Sequence, residues 1–160
     1  MGNEFGHPEW IDFPREGNNW SYQFARRQWS LSDNPDLRYR FLGEWDKAIV
    51  HLLQDHGLPN GGTPECRWSH DDDKVLAFER CNLVFVFNFH ASLSHVDYAI
   101  ELPKGTYKLL QCSDDTEFGG QGRVEALQTF TTAPPSTKEP SRHVVRLYLP
   151  ARTSFVLVRS

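Results

Sequence analysis

Residues 2–15, GNEFGHPEWIDFPR, set an amide (Asn3), three carboxylates (Glu4, Glu9, Asp12), an imidazole (His7), an indole (Trp10) and a guanidinium (Arg15) in one run. Gly2, Gly6, Pro8 and Pro14 interrupt any regular element there, so the run is a loop that presents these groups and not a strand or helix that buries them. Convergent donors and acceptors beside a flat aromatic face suit a site that orients a polar ligand. No strand or helix stands before the run. Any pocket it lines is therefore expected to be completed by residues this chain lacks, and the chain reads as the tail of a larger enzyme.

Two other runs carry reactive residue types. Ser69–Lys74, SHDDDK, offers a serine, a histidine and three aspartates, but catalytic triads are assembled across a fold and EF-hand spacing is absent. It reads as a solvated turn before a strand. Asp114, Asp115 and Glu117 precede the glycine-rich Phe118–Gly122, which lacks a following GK[ST] and a βαβ setting, so a phosphate cradle is not expected. Cys66, Cys81 and Cys112 form neither a CxxC nor a zinc pattern, and three widely spaced cysteines make no disulfide framework. No metal and no cofactor are expected. The free cysteines point to a reducing compartment.

Those groups must be positioned by a folded chain. At 39% hydrophobic and 13% aromatic residues the 160-residue sequence has the composition of a globular protein. A net charge of −4 with scattered arginines gives no basic face for phosphates, so nucleic acid is not an expected partner. No apolar run approaches the roughly 20 residues that span a bilayer, and no membrane partner is expected.

Residues 18–56 read as helical and residues 64–160 as strands. The switch falls in residues 57–64, GLPNGGTP, whose three glycines and two prolines suit neither state. The domains are accordingly expected at 1–57 and 58–160. Asn34-Pro35 predicts the N-cap and first position of a helix, with Leu37, Phe41, Leu42, Trp45, Ala48, Ile49, Leu52 and Leu53 on one face and Gly57 as its stop. A shorter helix is predicted over Trp20–Leu31. Val75–Arg80 alternates as a half-buried strand, and Leu83–Phe89, LVFVFNF, is apolar on both faces and predicts a central strand. Further strands are predicted near Asp97–Leu102, Thr106–Cys112, Gln128–Thr131, His143–Leu149 and Thr153–Arg159. Thr131–Ser141, with three prolines, reads as a surface loop. The spacing predicts an antiparallel sandwich.

A site loop followed by helices and then a sandwich is the order expected if the loop follows the last strand of a (β/α)8 barrel, where sites lie on the loops beyond the strand ends. GNEFGHPEW, DFPR, GNNWSY, ARRQW, LRYRFL, FER, LVFVFNFH, EFGGQGRV and PAR, in this order, closely resemble the C-terminal part of eukaryotic-type 1,4-α-glucan branching enzymes of the α-amylase superfamily. The resemblance covers essentially the whole chain. It implies a mainly β fold: a C-terminal antiparallel β-sandwich preceded by a helical remnant, the last βα unit of a (β/α)8 barrel.

The resemblance also implies a reaction. A branching enzyme cleaves an internal α-1,4 bond, holds the segment as a glycosyl-enzyme and passes it to a 6-hydroxyl, with retention at the anomeric carbon. Retention needs two carboxyl groups about 5–5.5 Å apart. The family's nucleophile, acid/base and third stabilising carboxylate follow earlier barrel strands, so no catalytic residue is carried over and this polypeptide alone is expected to be inactive.

Asn3, Glu4, His7 and Trp10 are placed by the resemblance at the rim of the glucan cleft. Asn3, Glu4 and His7 suit orienting sugar hydroxyls, and Trp10 offers a face for a pyranose. Each has a structural alternative: Glu4 ordering an upstream Arg or His, His7 making a structural hydrogen bond, Trp10 packing the loop. The implied partners are an α-glucan (glycogen, amylose or amylopectin) and the N-terminal barrel of the same polypeptide; the implied location is the cytoplasm, or alternatively a plastid. The rival class is a non-enzymatic glucan-binding or scaffold module. Cys81 departs from the family, which usually has glycine there; a positive φ at that position would be strained.

Overall fold

The computed structural model describes residues 2–136 and 138–160. The chain divides into two compact units: residues 2–51 with Glu117–Gly119, and residues 52–116 with 120–160.

The first unit is mostly loop and helix. α1 spans Trp29–Asp33 and α2 spans Tyr39–Asp55, the latter running on into the second unit. Both differ from expectation. No helix covers residues 20–28: Asn19 and Trp20 sit in the left-handed region at φ 53° and 57°, and Phe24 gives its carbonyl to Asp12 N–H at 3.1 Å. Asn34 does not cap α2 either. Its N–H donates to Ser30 O at the end of α1, while its Oδ1 takes Asp36 N–H at 2.9 Å and its carbonyl takes Leu37 N–H at 3.2 Å. The asparagine closes a turn of its own, and a side chain able to do so competes with helix initiation. At the other end Gly57 adopts φ 67°, the left-handed conformation that glycine supplies at a helix stop.

No residue of α2 is buried. Its apolar face is touched within the first unit by Glu117–Gly119: Phe118 meets Trp45 edge-on at 5.0 Å, and Gly119, at φ 74°, leaves the room that a β-carbon would take 2.8 Å from the Phe41 ring.

Among the described residues the second unit is an antiparallel sandwich. Strands β1 (Glu65–His70), β2 (Val75–Arg80), β3 (Leu83–Asn88), β4 (His95–Glu101), β5 (Thr106–Cys112), β6 (Thr129–Thr131), β7 (Val144–Leu149) and β8 (Thr153–Arg159) form a six-stranded sheet in the order β1-β2-β3-β8-β5-β6 and a two-stranded sheet β4-β7. Val75, Ala77, Val84, Val86, Phe155 and Leu157 of the large sheet and Ile100, Val145 and Leu147 of the small one meet in the core. β3 lies between β2 and β8, and Leu83–Val86 are buried on both faces, as its unbroken apolar run requires.

β1 has no counterpart in the sequence reading. It is a mostly exposed edge strand whose residues, ECRWSH, lack alternation, with a bulge between Cys66 and Trp68. The turn after it, residues 71–74, leads into β2. The two-residue turn Cys81-Asn82 joining β2 to β3 has φ of 52° and 63°, the pair of positive values of a type I′ hairpin.

Candidate functional site

Residues 2–7 form a tight hairpin-like turn. Gly2 adopts φ 82° and its carbonyl accepts His7 N–H at 2.9 Å; a β-carbon on Gly2 would lie 2.5 Å from His7 Cβ. Glycine is therefore required there for close approach. Phe5 turns inward to 1% exposure, its ring 5.2 Å from Trp29 and 5.9 Å from the His7 imidazole.

Two polar tethers hold the loop to the segment before α1. Glu4 Oε1 pairs with Arg27 Nη1 at 3.0 Å, and Arg27 lies over the Trp29 ring, 5.5 Å from its centroid. Gln28 Nε2 donates to Glu9 Oε2. Glu4 thus has an ion-pair partner downstream of it, with both side chains only about one-third exposed, 37% for Glu4 and 30% for Arg27. His7 Nδ1 lies 3.0 Å from the Glu9 carbonyl oxygen and 3.3 Å from the Glu9 backbone nitrogen, so both main-chain groups of Glu9 hold the ring. Nε2 is buried and without a partner among the described residues.

Asn3 is exposed, its carbonyl accepting Gly6 N–H at 3.3 Å. Trp10 is 82% exposed. Asn3, Glu4 and His7 thus share one turn, while Trp10 stands beyond it in the extended part of the loop.

Further along the loop Asp12 accepts Arg15 Nε at 3.0 Å and Asn18 Nδ2 at 3.0 Å, and Asn18 Oδ1 takes Arg15 N–H at 2.9 Å. The hydrogen bonds from Arg15 and Asn18 hold the Asp12 carboxyl below its ordinary range. Asp12 is one of the carboxylates named from the sequence; Arg27, Gln28 and Asn18 were not singled out there. The available signal was the polar content of GNNWSY and ARRQW, which supply them.

The sandwich has two polar centres of its own. Asp114, 3% exposed, accepts Arg123 N–H and Arg123 Nη2, each at 2.7 Å, and Gln121 N–H at 3.3 Å. Burial alone would raise this carboxyl, but the hydrogen bonds from the Arg123 side chain and from the two backbone N–H groups outweigh it, and the pKa is lowered. Elsewhere Tyr98 donates to Asp73 Oδ2 at 2.7 Å and accepts Trp68 Nε1–H at 3.2 Å, while His70 Nδ1 lies 3.1 Å from the same Asp73 oxygen. Asp73 therefore ends the SHDDDK run in a bonded cluster and not in open solvent. Among the described residues no group of three or more His, Cys, Asp or Glu is placed to hold a metal, and no helix is long and apolar enough to cross a membrane.

The larger unit has the architecture of an all-β accessory domain: a six-on-two antiparallel sandwich whose charged centres are tied up in structural bonds. Residues 67–160 match the family model described as alpha amylase, C-terminal all-beta domain, and the chain belongs to that family. It is similar to the 1,4-alpha-glucan-branching enzymes of Candida glabrata (46% identity over 159 residues, 99% of this chain and 22% of the relative), Equus caballus (43% over 160 residues, 98% and 22%) and Solanum tuberosum (51% over 126 residues, 78% and 14%). The chain spans about a fifth of the length of the first two and less of the third.

Proposed function

We propose that this chain is the C-terminal part of a 1,4-α-glucan branching enzyme, which moves an α-1,4-glucan segment to a 6-hydroxyl to form an α-1,6 branch. The observation that carries the reading is similarity to branching enzymes across nearly the whole chain, through the loop and helices as well as the sandwich. The catalytic carboxylates belong to a preceding barrel, and residues 1–57 supply its last loop and helices. The state of that unit supports this: Trp10, Phe13, Trp20, Tyr22, Phe24 and Trp29 are exposed and α2 buries nothing, as expected of a surface that another part of the same polypeptide covers.

Asn3, Glu4, His7 and Trp10 form part of the glucan-cleft rim. His7 Nε2 is a buried polar atom without a partner among the described residues, Trp10 is a free ring, and Glu4 acts by fixing the turn through Arg27. The substrate is glycogen, amylose or amylopectin. The three free cysteines suit a reducing compartment, the cytoplasm or alternatively a plastid.

The test is a chimera in which the Candida glabrata enzyme is truncated where the match begins and completed with this chain. Chain transfer is read as new α-1,6 linkages by proton NMR and loss of amylose–iodine absorbance. The chimera is expected to branch amylose, and the 160-residue chain alone is not. A folded chimera without transfer overturns the reading.

A further inference from the structure

Arg27 joins two parts of the first unit: its Nη1 pairs with Glu4 Oε1 at 3.0 Å while its guanidinium lies over the Trp29 ring. Three residues on stands Ser30, in the first turn of α1. Ser30 is exposed, and its hydroxyl has no hydrogen-bond partner among the described residues. Ser32, two residues further and so on another side of the helix, is half-buried, with its Oγ 3.9 Å from where a β-carbon on Gly43 of α2 would lie. Ser30 is therefore the serine of α1 that faces outward.

The residues around Ser30 have the pattern that a basophilic serine kinase selects. Residues 26–31 read RRQWSL, with Arg27 three residues before the hydroxyl and the apolar Leu31 directly after it. Such kinases take an arginine at that spacing in a clamp of carboxylates. Ser30 is the only serine or threonine of the sequence with arginine there. Residues 20–28 form no helix, and α1 itself has five residues, too few to be stable by themselves. Little has to open for this segment to lie extended in a kinase cleft.

We infer that Ser30 is a phosphorylation site and that its phosphate displaces Glu4 as the partner of Arg27. In the transfer Ser30 Oγ bonds to the γ-phosphorus of ATP, the bond from that phosphorus to the β–γ bridging oxygen breaks, ADP leaves, and the hydroxyl proton passes to the kinase's base. The product carries a charge of about −1.5 to −2 and three strong acceptor oxygens, against the single charge and two oxygens of Glu4. The Arg27 guanidinium already lies over Trp29, the residue next to Ser30, so turning toward the phosphate needs only a side-chain rotation. Arg26, exposed and without a partner among the described residues, supplies a second cation. Arg27 moves to the phosphate, and Glu4 is left unpaired near a new negative charge. Phe5 stays buried and holds the turn, so the modification frees the Glu4 carboxylate without unfolding residues 2–7. What this does to a glucan cleft rests on the function proposed above; the modification and the exchange of partners rest on Ser30, Arg27 and Glu4.

The experiment is treatment of the 160-residue chain with a basophilic serine kinase and ATP, with the peptide of residues 24–33 as a control that has the motif without the fold. Tandem mass spectrometry is expected to place a phosphate on Ser30 in both and none there in Ser30→Ala, and Arg27→Ala is expected to react about tenfold more slowly. A folded chain left unmodified at Ser30 overturns the site, whether or not the peptide reacts. The exchange of partners is read from the Arg27 Nε–H resonance and the phosphorus resonance together, between about pH 5 and 7.5, across the second phosphate pKa of about 6. In the phosphorylated chain the two are expected to titrate in step. Glu4→Gln without phosphate, which removes the same partner, is expected to show no such titration. An Arg27 resonance that ignores the phosphate overturns the exchange. Hydrogen exchange over residues 2–7 is expected to rise by less than about fivefold on phosphorylation, the scale of one screened ion pair. A loss of protection as large as that of Phe5→Ala overturns the claim that Glu4 alone is freed. None of these readouts uses chain transfer, so failure here and failure of the chimera are told apart.

Discussion

Arg123 grips Asp114 with both its main chain and its side chain: the backbone N–H reaches Oδ2 and the guanidinium Nη2 reaches Oδ1, each at 2.7 Å. The residues between them are closed into a loop whose geometry admits no substituent at Gly120, where a β-carbon would lie 2.1 Å from the Asp114 carbonyl. The EFGGQGRV run is thus explained by the loop it must close, with the buried carboxylate as its inner anchor.

Asp114→Ala is expected to cost about 3 kcal/mol, because it leaves Arg123 and two N–H groups without their acceptor. The pair also sets an acid limb. Its folded pKa lies below the ordinary carboxylate value, so its contribution is complete above the unfolded pKa of about 3.9 and is lost as pH falls through the folded one. Urea unfolding at pH 7 and at about pH 3 checks this. Wild type loses stability over that interval by more than Asp114→Asn does.

The β2–β3 turn makes the opposite prediction. Cys81 holds φ 52° without being glycine, and its Sγ sits 2.1 Å from where a β-carbon on Gly61 would be. Cys81→Gly removes left-handed strain of about 1–2 kcal/mol and adds some unfolded-state entropy. The net expectation is stabilisation by about 0.5–1 kcal/mol. Gly61→Ala destabilises, and less so in the Cys81→Gly background. Thermal unfolding of the four proteins of this cycle gives the coupling directly.

Tyr98 governs the alkaline limb. Burial first, and then its hydrogen bond to Asp73, push the phenol up to about 12. A raised folded pKa means that the contribution is complete below the unfolded value of about 10 and falls away as pH climbs toward the folded one. Unfolding free energy is expected to drop between pH 10 and 12 in wild type and more gently in Tyr98→Phe. Absorbance near 295 nm, which reports phenolate, should show one tyrosine titrating late in wild type and absent from the variant.

How far such features could be read from residues alone depends on how local their cause is. β3 was legible because an unbroken apolar run buried on both faces has few other solutions, and the Gly57 stop because left-handed backbone favours glycine. β1 was not, since an edge strand facing water needs no alternation. The start of α2 was misplaced because Asn34 has two local uses, as a helix cap and as a turn former, and only its partners Asp36 and Leu37 decide between them. In the candidate site the turn of residues 2–7 was legible from its glycines. The Glu4–Arg27 tether was not, because it joins segments whose meeting is set by Phe5 packing on Trp29.

That last relation ranks the forces holding the candidate site. Phe5 is the one buried side chain of its turn and packs at a tilt against Trp29, itself 51% exposed, so Phe5→Ala should cost about 2 kcal/mol locally, less than a truncation in a closed core. Glu4→Gln breaks an ion pair whose two side chains are 37% and 30% exposed, and after solvent screening the cost stays under about 1 kcal/mol. Hydrogen exchange over residues 2–15 and 27–33 separates them. Phe5→Ala should lose protection in both segments together, while Glu4→Gln should show a small loss that grows no larger in high salt. If Glu4→Gln frees the loop as fully as Phe5→Ala, the turn is held by charge, and the apolar wedge is not what positions Glu4 and His7.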